Sequence, residues 1–132
     1  MTKKREPSSR ARALRCVNAS LEKKAKDLII LNVKEISAFA DYFIICSGTS
    51  DRQVRAIAAA IQENLKKAGI LPLGIEGEAA GQWVLMDYDD VIIHVFLESV
   101  RTFYDIERLW SEASRMDIPD DTVSLKALSK RI

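Results

Sequence analysis

Apolar positions along this chain alternate between a helical and a two-residue period. Leu14, Val17 and Leu21 recur at helical spacing among Arg10, Arg12, Arg15, Lys23 and Lys24. That pattern predicts an amphipathic helix over residues 9–25, its charges in solvent, with Ser8 or Ser9 after Pro7 as the cap. Leu28 to Val33 is a short run rich in branched residues and predicts a buried strand. A second strand, Asp41 to Cys46, runs into the small-residue turn Ser47-Gly48-Thr49-Ser50. Ser50 and Gln53 have the spacing of a capping box, in which serine takes the Gln53 N–H and glutamine reaches back. The helix they open is expected over 51–68, with Val54, Ile57, Ile61, Leu65 and Ala68 as its buried stripe and Gly69 as its stop.

The second half carries three more strand signals. Leu71 to Gly77 reads as a short strand whose Pro72 suits an edge, and Gly74 and Gly77 around Ile75 suggest a close backbone approach or a bulge. Glu78 to Gln82 is a loop. Trp83 to Tyr88 and Val91 to Leu97 form a hairpin joined at Asp89-Asp90. Residues 99–114 are expected as one helix, with Val100, Phe103, Tyr104, Leu109 and Trp110 near helical spacing and Ser99 as its cap. Beyond Met116 the pattern weakens. Pro119 can start a short helix, but 117–132 reads as a tail.

These elements describe a single α/β domain, a mixed sheet of about five strands flanked by helices. A chain of 132 residues suits one domain rather than two. The expected division is a flexible basic N-terminus over 1–8, the domain over 9–114 and a tail over 115–132. No apolar run approaches the roughly 18 residues of a membrane span. The Arg- and Ser-rich start raises a transit peptide as the lesser reading, because Glu6 interrupts it. Two cysteines and one histidine exclude a zinc finger built from this chain alone. Cys16 and Cys46, in apolar surroundings, read as structural thiols of a reducing cytoplasm.

A net charge of +1 hides an asymmetry. Residues 1–26 hold nine Lys/Arg against two acids, and residues 27–132 hold eleven against seventeen. Within 71–112, two arginines face nine acids. A body this acidic suits a basic protein partner better than a phosphate backbone, although the basic N-terminus is able to touch RNA.

A two-residue hairpin loop dictates a register by arithmetic. Tyr88 then faces Val91, and Trp83 faces Phe96. Val84, Met86, Tyr88, Val91, Ile93 and Val95 share one apolar face that helices should cover. Trp83, Leu85, Asp87, Ile92, His94 and Phe96 share the other. Two readings stay open for that mixed face. It either packs under another helix with His94 in the core, or it binds a partner through rigid aromatic anchors within the acidic rim of Glu76, Glu78, Asp87, Asp89 and Asp90.

Two kinds of catalysis find only part of their residues here. A strand, then Gly48-Thr49-Ser50, then a helix is the local plan of a phosphate-binding turn. A nucleotidyltransferase also needs two or three carboxylates on neighbouring strand positions to hold metal ions. Only Glu76 lies on the next strand, and Asp87, Asp89 and Asp90 sit at a hairpin tip. For a Ser/His/Asp set, Asp87 is diagonal to His94, but Ser99 lies past the strand end.

Five separated stretches carry a family resemblance in their order and spacing. They are Asp41-Tyr-Phe-Ile-Ile-Cys-Ser-Gly-Thr-Ser50, Gly74-Ile-Glu-Gly-Glu78, Trp83-Val-Leu-Met-Asp87, Asp90-Val-Ile-Ile-His-Val95 and Tyr104-Asp-Ile-Glu-Arg-Leu-Trp110. Over about residues 10–113 the chain resembles the Iojap family, the ribosomal silencing factors. The resemblance leaves 1–9 and 117–132 outside the common core. It implies a nucleotidyltransferase-like shape without catalysis or cofactor, in a cytoplasmic factor that forms homodimers when free. It further implies binding to large-subunit ribosomal protein fourteen on the large ribosomal subunit, which blocks the small subunit and represses translation when nutrients run short. An rRNA contact through the basic N-terminus would be minor. Carried over by residue, the resemblance makes Trp83 the central apolar anchor; Leu85 and Phe96 join it as contact residues because the hairpin pattern puts them on the same face. Asp87 and Tyr88 at the hairpin tip meet basic or polar groups, and His94 orients Asp87 or touches the partner. Tyr104 and Glu107 border the site or pack it.

Overall fold

A computed structural model describes residues 8–118. The elements are α1 (Ser9–Glu22), β1 (Lys26–Asn32), β2 (Tyr42–Gly48), α2 (Asp51–Lys67), β3 (Gly74–Glu76), β4 (Trp83–Asp87), β5 (Val91–Leu97), α3 (Glu98–Tyr104), a 3₁₀ turn (Ile106–Trp110) and β6 (Ser114–Met116). The strands form one sheet in the order β3-β4-β5-β2-β1-β6. Among the described residues the central β2–β5 pair is parallel, and the other four pairs are antiparallel. The fold is therefore the expected α/β domain with a mixed sheet, of six strands rather than about five. The additional strand, β6, pairs with β1 and straddles the expected boundary at 114. The short helix expected at Pro119 lies outside the described residues.

Helices α1 and α2 cover one sheet face. Val54, Ile57, Ile61 and Leu65 of α2 are fully buried there, as their spacing predicts. Each such side chain contributes roughly 1.5–3 kcal/mol, so packing rather than intrinsic propensity holds α2 in place. The Ser50 hydroxyl accepts from Gln53 N–H at 3.1 Å. The glutamine reaches back to Thr49 N–H (2.7 Å) instead of Ser50. Its amide nitrogen also donates to the Lys23 and Lys24 carbonyls, tying the start of α2 to the end of α1. At the far end, Gly69 takes φ +80°, the left-handed form expected of a helix stop.

Helix α1 differs from its forecast in two ways. It ends at Glu22 because Lys24 turns left-handed at φ 62°. Its buried residues are Ala13, Cys16, Val17, Ala19 and Ser20, while Leu14 and Leu21 are only half-buried. Small side chains let α1 sit close to both α2 and β2, and a hydrophobic count overlooks them. Its first turns are tied to the sheet by Ser9 Oγ to Asp41 (2.7 Å) and by Arg12 to Asp90 (3.1 Å).

The stretch 99–114 is not one helix. Asp105 takes a left-handed φ of 46°, which ends α3 after Tyr104 and begins the 3₁₀ turn. Ser99 does not cap it, since Leu97 occupies the cap position without a side-chain bond. At β3, the expected close approach is real at Gly77 and absent at Gly74. Gly77 has φ +88°, and a Cβ there would overlap the Trp83 carbonyl oxygen. Gly74 has open space around it.

Candidate functional site

The β4–β5 register matches the arithmetic: Trp83 faces Phe96, Leu85 faces His94 and Asp87 faces Ile92. Tyr88 N–H donates to the Val91 carbonyl at 3.0 Å, which closes the two-residue loop. Asp89 adopts φ 73°, and its N–H donates to Asp87 Oδ1 at 2.9 Å. An aspartate side chain can support such a turn where glycine is missing.

Val84, Met86, Tyr88, Val91, Ile93 and Val95 all lie in the helix-covered core. Tyr88 is 1% exposed, so its ring is not at the tip for a partner to meet. This corrects its place among the binding residues, because alternation along β4 turns it inward. Its hydroxyl finds no hydrogen-bond partner among the described residues, and burial raises its pKa. Tyr88→Phe removes that orphan polar atom without changing the shape of the core. It is expected to leave stability unchanged or raise it by up to about 1 kcal/mol, read from the urea midpoint. A loss beyond 1 kcal/mol would mean that the hydroxyl has a partner.

The mixed face is covered over one half of its width and left open over the other. Leu31, Val33, Ala40, Phe43, Ile45 and Phe96 form a second core, packed by Val100, Ile106 and Trp110 of the α3–3₁₀ segment and by Ala113 just after it, with Trp83 and Ile92 at its margin. Phe96 is fully buried in it and is thereby corrected from contact residue to support. The other half is not closed over. Trp83, Leu85, Asp87, Ile92 and His94 remain half-buried, with Glu76 exposed on β3 opposite Leu85.

Rings gather around Trp83. Its centroid lies 4.8 Å from Phe96 and 5.0 Å from Tyr104, which is 54% exposed. Its indole Nε1–H donates to His94 Nδ1 at 3.1 Å. The hydrogen bond of His94 thus goes to Trp83 rather than to Asp87, the first of the two roles the resemblance offered. Burial lowers its pKa to about 4 from 6.5, so the ring is neutral near pH 7 with Nδ1 as acceptor. Between those values the unfolded chain takes up a proton that the folded one refuses, so stability falls as pH drops from 6.5 to 4.

Glu107 faces inward to a partner that sequence reasoning missed. Arg101 reaches it with Nε at 2.8 Å and Nη2 at 3.3 Å. The same guanidinium donates to the Asp27 carbonyl and to Ser47 Oγ, both at 2.8 Å. Hydrogen bonding to Arg101 lowers the Glu107 pKa. The only available signal was that Arg101 is one of two cations in the acidic stretch 71–112. Phe103 and Leu109, each 78% exposed, and Phe39 at 85% were also missed as surface residues, since helical spacing alone suggested a core for the first two.

Other candidate chemistry is structurally engaged. Both cysteines are buried and free, and burial pushes the Cys46 thiol up to about 12. The Gly48-Thr49-Ser50 turn is filled by its own Gln53 bonds. Among the described residues no group of three or more His, Cys, Asp or Glu side chains is placed to hold a metal ion. No described helix is long and apolar enough to cross a membrane.

A family model described as ribosomal silencing factor during starvation matches residues 6–131. The match runs past 116, which corrects the expectation that 117–132 lies outside the common core. The ribosomal silencing factor RsfS of Halalkalibacterium halodurans is 41% identical over 102 residues, covering 77% of this chain and 87% of that protein. The protein of the same name from Bacillus subtilis is 42% identical over 97 residues, covering 74% and 82%. A crystal structure of a Chromobacterium violaceum protein superposes with a TM-score of 0.77 at 38% identity, covering 79% of this chain and 87% of the other. With a family model spanning nearly its whole length, this chain belongs to the ribosomal silencing factor family.

Proposed function

We propose that this chain acts in the cytoplasm by binding large-subunit ribosomal protein fourteen through the open half of its mixed sheet face. Occupying that protein keeps the small subunit from joining and so represses translation, notably when nutrients are short. The observation that carries the reading is the half-open aromatic cluster of Trp83, Tyr104 and His94 beside Glu76 and Asp87. Rigid rings supply contact area at little entropic cost, and the acids favour a basic partner and speed its approach. The action is steric, so it needs no turnover and no cofactor. When off the ribosome the chain pairs with a second copy, and its basic N-terminus adds a minor rRNA contact.

The test is capture of purified, nuclease-treated ribosomal protein fourteen, run beside light scattering of subunit joining. Saturable capture that weakens with salt, together with fewer joined ribosomes, is the expected result. No capture from a chain that still binds intact large subunits would move recognition to RNA and the basic N-terminus.

A further inference from the structure

We propose that His94 is the positioning residue of this face: its Nδ1 accepts the indole N–H of Trp83 and holds that ring against Phe96 and Tyr104. The inference rests on the proposed binding reading and says how that surface is kept in shape.

Four features support it. Trp83 lies diagonally across the β4–β5 pair from His94, a separation that two long rings can bridge. A half-buried indole N–H needs an acceptor, and the imidazole supplies it. The imidazole is itself held, stacked on Phe96 at 10° and edge-on to Phe43 at 75°. Phe43 in turn meets Trp110 of the 3₁₀ turn edge-on at 4.6 Å. Rings thus run without a break from Trp110 through Phe43, His94 and Trp83 to Tyr104, joining the last residue of α3 and the last residue of the 3₁₀ turn to the sheet.

Among the described residues no charged group on the surrounding elements engages the imidazole. Its neighbours across the strands are Leu85 and Ile45. On the same face, Asp87 is diagonal and already takes the Asp89 N–H, and Glu76 lies beyond Leu85. In the covering layer Arg101 and Glu107 are paired with each other. The acceptor form therefore persists through the neutral range. Because the indole N–H is engaged internally, Trp83 offers its ring face. The group that ring receives is apolar or cationic, not a hydrogen-bond acceptor.

The test uses the full chain, ¹⁵N-labelled, with the Trp83 indole resonance assigned by its loss in Trp83→Phe. Binding to purified ribosomal protein fourteen is measured in parallel, with Trp83→Ala as control. His94→Leu is expected to move the Trp83 indole resonance, speed its hydrogen exchange and lower affinity about tenfold. His94→Gln, which keeps an acceptor, is expected to restore the protection and most of the affinity. In the wild-type chain the resonance should stay constant from about pH 8 to 5. An unshifted indole in folded His94→Leu, or a wild-type titration near 6.5, overturns the positioning role. So does full affinity in His94→Leu when Trp83→Ala has lost it. Full affinity in Trp83→Ala would instead sink the binding reading, while the indole resonance would still judge the hydrogen bond. Should His94→Leu fail to fold, His94→Gln and the pH series decide the matter.

Discussion

Trp83→Ala is expected to weaken binding of ribosomal protein fourteen by roughly 30- to 1,000-fold, the range of a central aromatic hot spot. Three rings contact the indole: Phe96, Tyr104 and His94. Its loss removes the anchor and also frees Tyr104, whose own ring is largely in solvent. The domain should remain folded, because α1 and α2 pack on the opposite face, where Trp83 takes no part. Calorimetric affinity and circular dichroism together check this. Unchanged affinity in a folded variant would place the contact elsewhere. Loss of the fold would mean that Trp83 is chiefly a core residue of the second cluster.

Arg101→Ala is expected to destabilise the α3–3₁₀ segment by about 2–3 kcal/mol, at or just below the roughly 3–5 kcal/mol of a broken buried ion pair because Glu107 keeps some water. Arg101 is bonded at once to the β1 side (Asp27 carbonyl), to β2 (Ser47) and to the 3₁₀ turn (Glu107). Its side chain is 11% exposed, and neither α3 nor the 3₁₀ turn has a fully buried residue to hold it otherwise. The loss should therefore be local. Hydrogen exchange should speed over 98–110 while α2 and β5 stay protected. Uniform loss of protection would contradict this. Arg101→Lys should not rescue it, since an ammonium lacks the planar fork that spans both Glu107 oxygens. Acid should act in the same direction. The Glu107 carboxyl titrates below its ordinary 4.5, so its contribution is complete above that pH and fades as pH falls through the lower folded value.

Much of this protein is legible in its residues. The stripe of α2, the Ser50 cap and the Gly69 stop follow from spacing, because each depends on neighbours within one or two turns. The hairpin register follows as well, since a two-residue loop leaves one pairing and a period of two then assigns every face. Longer-range matters were decided by the tertiary structure. The break at Asp105 and the strand Ser114–Met116 exist because the chain must fold back over β2 and reach β1, and neither has a local pattern strong enough to announce it. Covering half of the mixed face made Phe96 core and left Trp83 at the border, although the two face each other in one strand pair. The Trp83–His94 bond and the Arg101 latch join residues 11 and up to 74 positions apart. Sequence alone establishes which residue types are available and which face they share. Only packing decides which of them water can still reach, because burial is a property of what lies on top.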